Sequence, residues 1–564
     1  MAEVKHEADY NEAPLREPSD VMRLERMGSF FPTRLSFMRT LMRRLSGEGS
    51  KVSRPVFDMD DEGYGRAVYS VDVGGKTYSL VAFSIKLDPN DRTDRVIAEA
   101  WDTSYALYDG VPTKEEVDRL EANVPHQEAG RCCAKDLILS RANKSVRLFE
   151  HVVDCLSKGE QPDMAQIDEI GYLMRTTAVY GNGKFGIADR TRICEREGLS
   201  GPFQAEMLTV WLIRGFTHDL ANHVAAKRGG DKAVALSDDI KRHLGIGNST
   251  GLGMAPFLVS HPVLINSWML VRETALARVR AVDALDAATS QRVLQLAERV
   301  TRHLDQWNVV DERQMKRIEV VRGEWADIGP QITLDALAQP YPYEHLLSLA
   351  KNGSTECQEL MVALVLEPNG DLIDGLEECM ATPYDMRLDP SISVGVLCAF
   401  IKDKMDWALS LDFEQTKETA QFWYVSEEKL EPRLGLRFEE EGAELEMPLD
   451  IARRVQALYR DMEKVDQNQI MAEFLLAHPH HRYAVKRAQT MERFPYSEIQ
   501  DNLISERCLP IDMLRCKLSF FGASKFDPKS DRWTRITLYQ GAPLFHELST
   551  ERADDWWLPA LETG

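Results

Sequence analysis

From Thr113 to about residue 330, apolar residues recur three and four positions apart through KEEVDRLEANV, KDLILSRANKSVRLFEHVVDCL, PFQAEMLTVWLIRGF and RETALARVRAVDALDAATSQRVLQLAERVTRHLDQW. That spacing gives each segment an apolar stripe, and helices of this kind must bury their stripes against one another. A 564-residue chain is too long for one such stack, since at roughly 150 residues per domain it suggests two to four domains. The expected class is therefore α+β and predominantly helical: a small N-terminal antiparallel β element, a central all-α domain and a C-terminal α+β domain.

The divisions follow changes of composition. Residues 1–20 are polar and acidic and contain Pro14 and Pro18, which predicts a mobile tail. Residues 21–50 carry six arginines (23, 26, 34, 39, 43 and 44) against the single acid Glu25 between Arg23 and Leu45, with Met38, Leu41, Met42 and Leu45 at helical spacing. This basic amphipathic arm suits either an anionic surface or docking on the acidic body of its own or a partner subunit. In residues 51–112, the run AVYSVDVGGKTYSLVAFSI predicts a hairpin turning at Gly74-Gly75, and RVIAEAWDTSYALY supplies a third strand. The helical domain occupies 113–330. Pro330, Pro340 and Pro342 mark its boundary with an α+β region, 331–564.

Several function classes are disfavoured. Lys plus Arg number 68 against 90 Asp plus Glu, a net charge of −22 that repels a phosphate backbone, so no nucleic-acid partner is expected. Nine cysteines without a C-x-x-C pair predict reduced thiols, and the acidic N-terminus lacks the chemistry of a leader; both point to the cytoplasm. Polar residues and Pro262 interrupt MAPFLVSHPVLINSWMLV, which predicts a buried helix and no membrane span.

Four segments could carry chemistry. Tyr180-Gly-Asn182-Gly-Lys184-Phe-Gly186 contains G-x-G-x-x-G. A dinucleotide site needs a strand before that loop, whereas AQIDEIGYLMR has helical spacing, so a structural turn or a substrate loop presenting Tyr180, Asn182 and Lys184 is expected. The second segment, from His243 to Pro256, places four glycines in nine residues around Asn248, Ser249 and Thr250 and precedes His261. Its amides and hydroxyls could ring an anion, or its glycines could let helices approach.

The third segment is Thr217-His218-Asp219-Leu-Ala-Asn222-His223, which over two residues resembles the His-Asp dyad of metal-dependent phosphohydrolases. That family's further ligands have only nominal occupants here, His151 and Asp239. His218 and His223 lie about 140° apart on a regular helix and cannot share a metal. The fourth is C-terminal. His478-Pro-His480-His481 could hold a metal or simply cap a helix, and a charged hairpin with Lys525 and Arg532 could close over a ligand.

Without a nucleotide loop, zinc pattern or nucleophile elbow, acid–base chemistry on a small anionic or aromatic substrate remains. The expectation is a cytoplasmic lyase or isomerase of small-molecule catabolism, needing no cofactor or metal and assembled as a homodimer. Tyr180, Lys184 and His261 would be catalytic, and Asn182, Asn248, Ser249, Thr250, Lys525 and Arg532 would bind substrate. The rival class is a non-catalytic helical scaffold, and the phosphohydrolase is a more distant alternative.

Overall fold

The computed structural model describes residues 10–28, 31–87, 100–125, 133–178, 193, 195–250, 261–381, 386–412, 422–425, 432–435, 447–448, 451–501, 508–530, 533–549 and 556–559. Its strands are β1 (Val52–Met59), β2 (Gly65–Val73), β3 (Lys76–Ser84), β4 (Thr103–Asp109), β5 (Asp136–Lys144), β6 (Tyr172–Thr176), β7 (Gly245–Thr250), β8 (Phe422–Val425), β9 (Pro432–Gly435), β10 (Met447–Pro448), β11 (Lys525–Ser530) and β12 (Trp533–Leu538). Nine of them form one mixed sheet in the order β1-β2-β3-β4-β5-β6-β7-β12-β11, and β10-β8-β9 form a small second sheet. All neighbours in the large sheet are antiparallel except β6 and β7, which run parallel.

This corrects the expected fold class. The molecule is α+β, but the β element is neither small nor confined to the N-terminus, and the 113–330 region is not all-α, because β5, β6 and β7 lie within it. The expected hairpin is β2–β3, where Gly74 (φ +60°) and Gly75 (φ +78°) take the left-handed conformations that a tight turn requires. Two segments assigned to helix contain strands. DLILSRANK is β5, and Gly171 (φ +78°) ends a helix over Met164–Ile170 so that YLMRT runs on as β6.

Strands β2, β3 and β4 are buried on both faces. Ala67, Tyr69, Leu80, Ala82, Tyr105 and Leu107 join the main core beneath the Gln204–Gly229 helix, whose Phe216 ring meets Tyr69 and Tyr105 edge-on. Val68, Val81, Phe83, Ala106 and Tyr108 point the other way, under Val117 and Leu120 of the Lys114–Asn123 helix. A reciprocal capping box between Thr113 and Glu116 starts that helix. A second core gathers helices Val394–Lys404, Ile451–Met462, Met471–Ala477 and Arg482–Arg493 around Leu397, Val455, Phe474 and Val485.

The basic arm docks on its own chain. It forms two helices, Leu24–Met27 and Phe37–Gly47, and Met38, Leu41, Met42 and Leu45 are fully buried. Its arginines find carboxylates far along the sequence: Arg26 with Glu359 (2.9 Å), Arg34 with Asp374 (2.5 Å), Arg39 with Glu367 (2.5 Å) and Arg23 with Asp501 (3.3 Å). The apolar stripe that argued for a dimer is thus covered within one subunit. No helix among the described residues is long and apolar enough to cross a membrane.

Candidate active site

β6 and β7 flank the Gln204–Gly229 helix in the chain and lie parallel in the sheet, so strand, helix and strand make a β-α-β unit. In open sheets, ligands bind beyond the carboxyl ends of parallel strands. Those ends are Thr176, which precedes the first glycine-rich segment in sequence, and Thr250, within the second. β12 starts at that same end, with Thr534 opposite Thr250, so the charged β11–β12 connection departs there as well. β6 and β7 thus end, and β12 begins, on one side of the sheet.

A strand does precede the G-x-G-x-x-G run, which removes the objection drawn from helical spacing. The long helix of this unit begins at Gln204, and the glycine run Gly181–Gly186 lies outside the described residues.

The chemistry at this end centres on Lys517, which the sequence analysis did not select. It opens a π-helical turn, Lys517–Phe521, a distortion often found at functional positions. Its Nζ is buried and donates to Asn248 Oδ1 at 2.7 Å, while Asn248 Nδ2 donates to the Thr176 carbonyl at 2.9 Å. One amide thus ties β6 to β7 and receives the Lys517 nitrogen. Burial pulls Lys517 down to about 7, so its amine is substantially neutral at physiological pH.

The opposite face of the sheet carries cations at the same place. Register puts Asn143 beside Arg175, Arg175 beside Gly247, and Ser249 beside Arg535, so Arg141, Arg175, Ser249 and Arg535 share one face across four strands. Burial lowers Arg141 to about 10. Trp101 and Trp533 lie against Arg141 and Arg535 at 5.9 and 5.5 Å.

The predicted site residues divide accordingly. Asn248 is fully buried and orients Lys517, and Ser249 is buried on the arginine face. Thr250 pairs through its backbone with Thr534. His261 precedes the Pro262–Arg280 helix at the N-cap position without a side-chain capping bond, and Trp268 of that helix packs on Phe520 of the Lys517 turn at 4.1 Å. Lys525 lies toward the other end of the strands and donates to the Asp168 carbonyl at 2.5 Å, close to the contact between His243 and Asp168 (3.2 Å). Tyr180, Asn182, Lys184 and Arg532 lie outside the described residues.

β7 was expected to be a loop because of its glycines. Neither Gly245 nor Gly247 is among the positive-φ residues, and what they provide is room. A Cβ on Gly245 would stand 2.3 Å from the Leu538 carbonyl, and one on Gly247 2.8 Å from the Tyr172 ring.

The His-Asp pair is built differently. Asp219 accepts from Tyr69 (2.7 Å) and Arg54 (2.8 Å), and burial drives His218 well below its ordinary range, toward the neutral form. His151 sits 3.7 Å from Cys155 Sγ, and Asp239 pairs with Arg242 at 2.6 Å.

A cavity of 1040 Å³ lies elsewhere, between the main and second cores, with Leu270, Phe400, Trp407, Tyr496, Arg278 and Arg493 among its walls. Compared with protein-family models, with curated proteins and with solved structures, the chain matches none.

Proposed function

We propose that this chain is an acid–base enzyme, a lyase or isomerase acting on a small anionic substrate, with Lys517 as the proton-transferring group. The observation that carries this is the buried Lys517 Nζ, 2.7 Å from Asn248 Oδ1, whose amide bridges the parallel strands β6 and β7. An amine with a pKa near 7 can take a proton from carbon or oxygen and return it at physiological pH. Asn248 accepts one N–H and fixes the direction of the nitrogen. Tyr180, Lys184 and His261 remain candidates for substrate contact and a second proton transfer.

A thermal-shift screen of the full chain against carboxylates, phenols and nucleotides tests this, since a ligand that binds the native state raises its melting temperature. A carboxylate or phosphate compound should shift the wild type and fail to shift Lys517→Met. A non-catalytic binding protein is the second reading, supported by the 1040 Å³ cavity. A hit abolished by Trp407→Ala and untouched by Lys517→Met would favour it.

A further inference from the structure

The second core holds a constellation unconnected with Lys517. Asp461 lies near the end of the Ile451–Met462 helix, and His480 and His481 form the short turn, Pro479–His481, that opens the Arg482–Arg493 helix. One ligand atom from each falls within 4.8 Å of the other two. His481 Nε2 stands 2.9 Å from Asp461 Oδ2, and His480 Nε2 stands 4.0 Å from the same oxygen. Ligands at the 2.0–2.1 Å typical of Zn²⁺ lie about 3.3 Å apart around a tetrahedron, so these separations straddle the required value.

The surroundings hold two of the ligands in place. Lys464 Nζ, 2.9 Å from Asp461 Oδ1, holds the carboxylate's other oxygen. The His481 ring is buried and lies parallel to Phe474, with centroids 6.0 Å apart. His480 is exposed, its ring 4.0 Å from that of His481, and closure needs its Nε2 to move by under about an ångström.

We propose that Asp461, His480 and His481 bind one divalent transition-metal ion of the Zn²⁺ class, with the fourth position open to water. The ion would displace the proton between His481 and Asp461 and join the two helices of the second core that carry its ligands.

The test is titration of the untagged full chain with Co²⁺, a spectroscopic substitute for Zn²⁺, followed by visible absorption and by melting with Zn²⁺. One Co²⁺ per chain with the intense visible bands of a four-coordinate site is expected, together with a higher melting temperature in Zn²⁺. His480→Ala, an exposed position that should leave folding intact, should weaken Co²⁺ binding at least tenfold and abolish the Zn²⁺ shift, and Asp461→Asn should do the same. His223→Ala, a histidine on another part of the molecule, should change neither. Absence of stoichiometric Co²⁺ binding, or binding undiminished in His480→Ala, would overturn the assignment.

Discussion

Lys517 illustrates how a single buried side chain couples stability to pH. Its folded pKa of about 7 lies below the ordinary lysine value of 10.5, so between those limits the unfolded chain binds more protons than the folded one. Stability contributed through this group therefore rises as pH increases from 7 toward 10.5, by at most about 1.4 kcal/mol per pH unit. Denaturant melts across that range should show the rise, and Lys517→Met should flatten it. Glu359 has the opposite sign. Burial pushes its carboxyl up, but Arg16, Arg272 and Arg26 outweigh burial and hold it at about 2. Its stabilisation is complete above the ordinary carboxylate range and is lost as pH falls from about 4.5 toward 2. Glu359→Gln leaves Arg26 without a carboxylate and Arg16 and Arg272 sharing Glu273 alone, and should cost roughly 2–4 kcal/mol at neutral pH, readable as a shift in urea midpoint. At the candidate site, Lys184→Ala and His261→Ala should each lower turnover of an identified substrate at least roughly a hundredfold while leaving the melting temperature nearly unchanged. A large fall in stability with turnover per folded molecule intact would assign both residues to the core.

The Gln204–Gly229 helix is closely fitted to its neighbours at Gly215. A Cβ on Gly215 would come 2.0 Å from the Phe545 ring. Gly215→Ala should thus lower the melting temperature despite alanine's better helix propensity, with a cost of roughly 1–3 kcal/mol from overpacking. The same helix explains much of what could and could not be read locally. Its periodicity and that of Lys114–Asn123 were evident because each spans whole turns with consistent spacing. The β2–β3 hairpin was evident because Gly74-Gly75 interrupts two β-rich runs. β5 and β6 were hidden because each sits beside a true helix, so a window spanning both finds helical spacing. β7 was hidden because its glycines answer to Tyr172 and Leu538, residues distant in sequence. Asn248 and Ser249 stood out as polar groups between glycines, but Lys517 did not, since a single lysine before Leu-Ser-Phe-Phe gives no sign of burial. A lysine inside an apolar run is the available signal, and the parallel pairing that gives it meaning is a long-range property.

For the molecule as a whole, the arm links the first residues to nearly every later region. Met27 accepts from Ser519 Oγ at 2.5 Å, Pro32 accepts from Trp557 Nε1 at 2.8 Å, and Arg39 shares a fully buried ion pair with Glu367. Deleting residues 1–46 should therefore do more than weaken an assembly. It uncovers Glu367 and Glu359 and empties part of the main core, and the truncated chain should lose its cooperative melting transition. Retention of wild-type melting would show that the arm is dispensable, and sedimentation of the intact protein would then decide the dimer separately.

The strand order also bears on how the chain is made. The far edge of β7 is covered by β12 alone, and β12 is synthesised almost three hundred residues later. At ordinary elongation rates the emerging polypeptide carries an unfinished sheet for on the order of tens of seconds. During that interval the backbone of Gly245–Thr250 has unmet amides and carbonyls on one side, the kind of edge that recruits another strand. Ribosomes translating the same message in close succession would bring several such edges together. Survival of the nascent protein should depend on chaperone shielding of that edge until Trp533–Leu538 arrives.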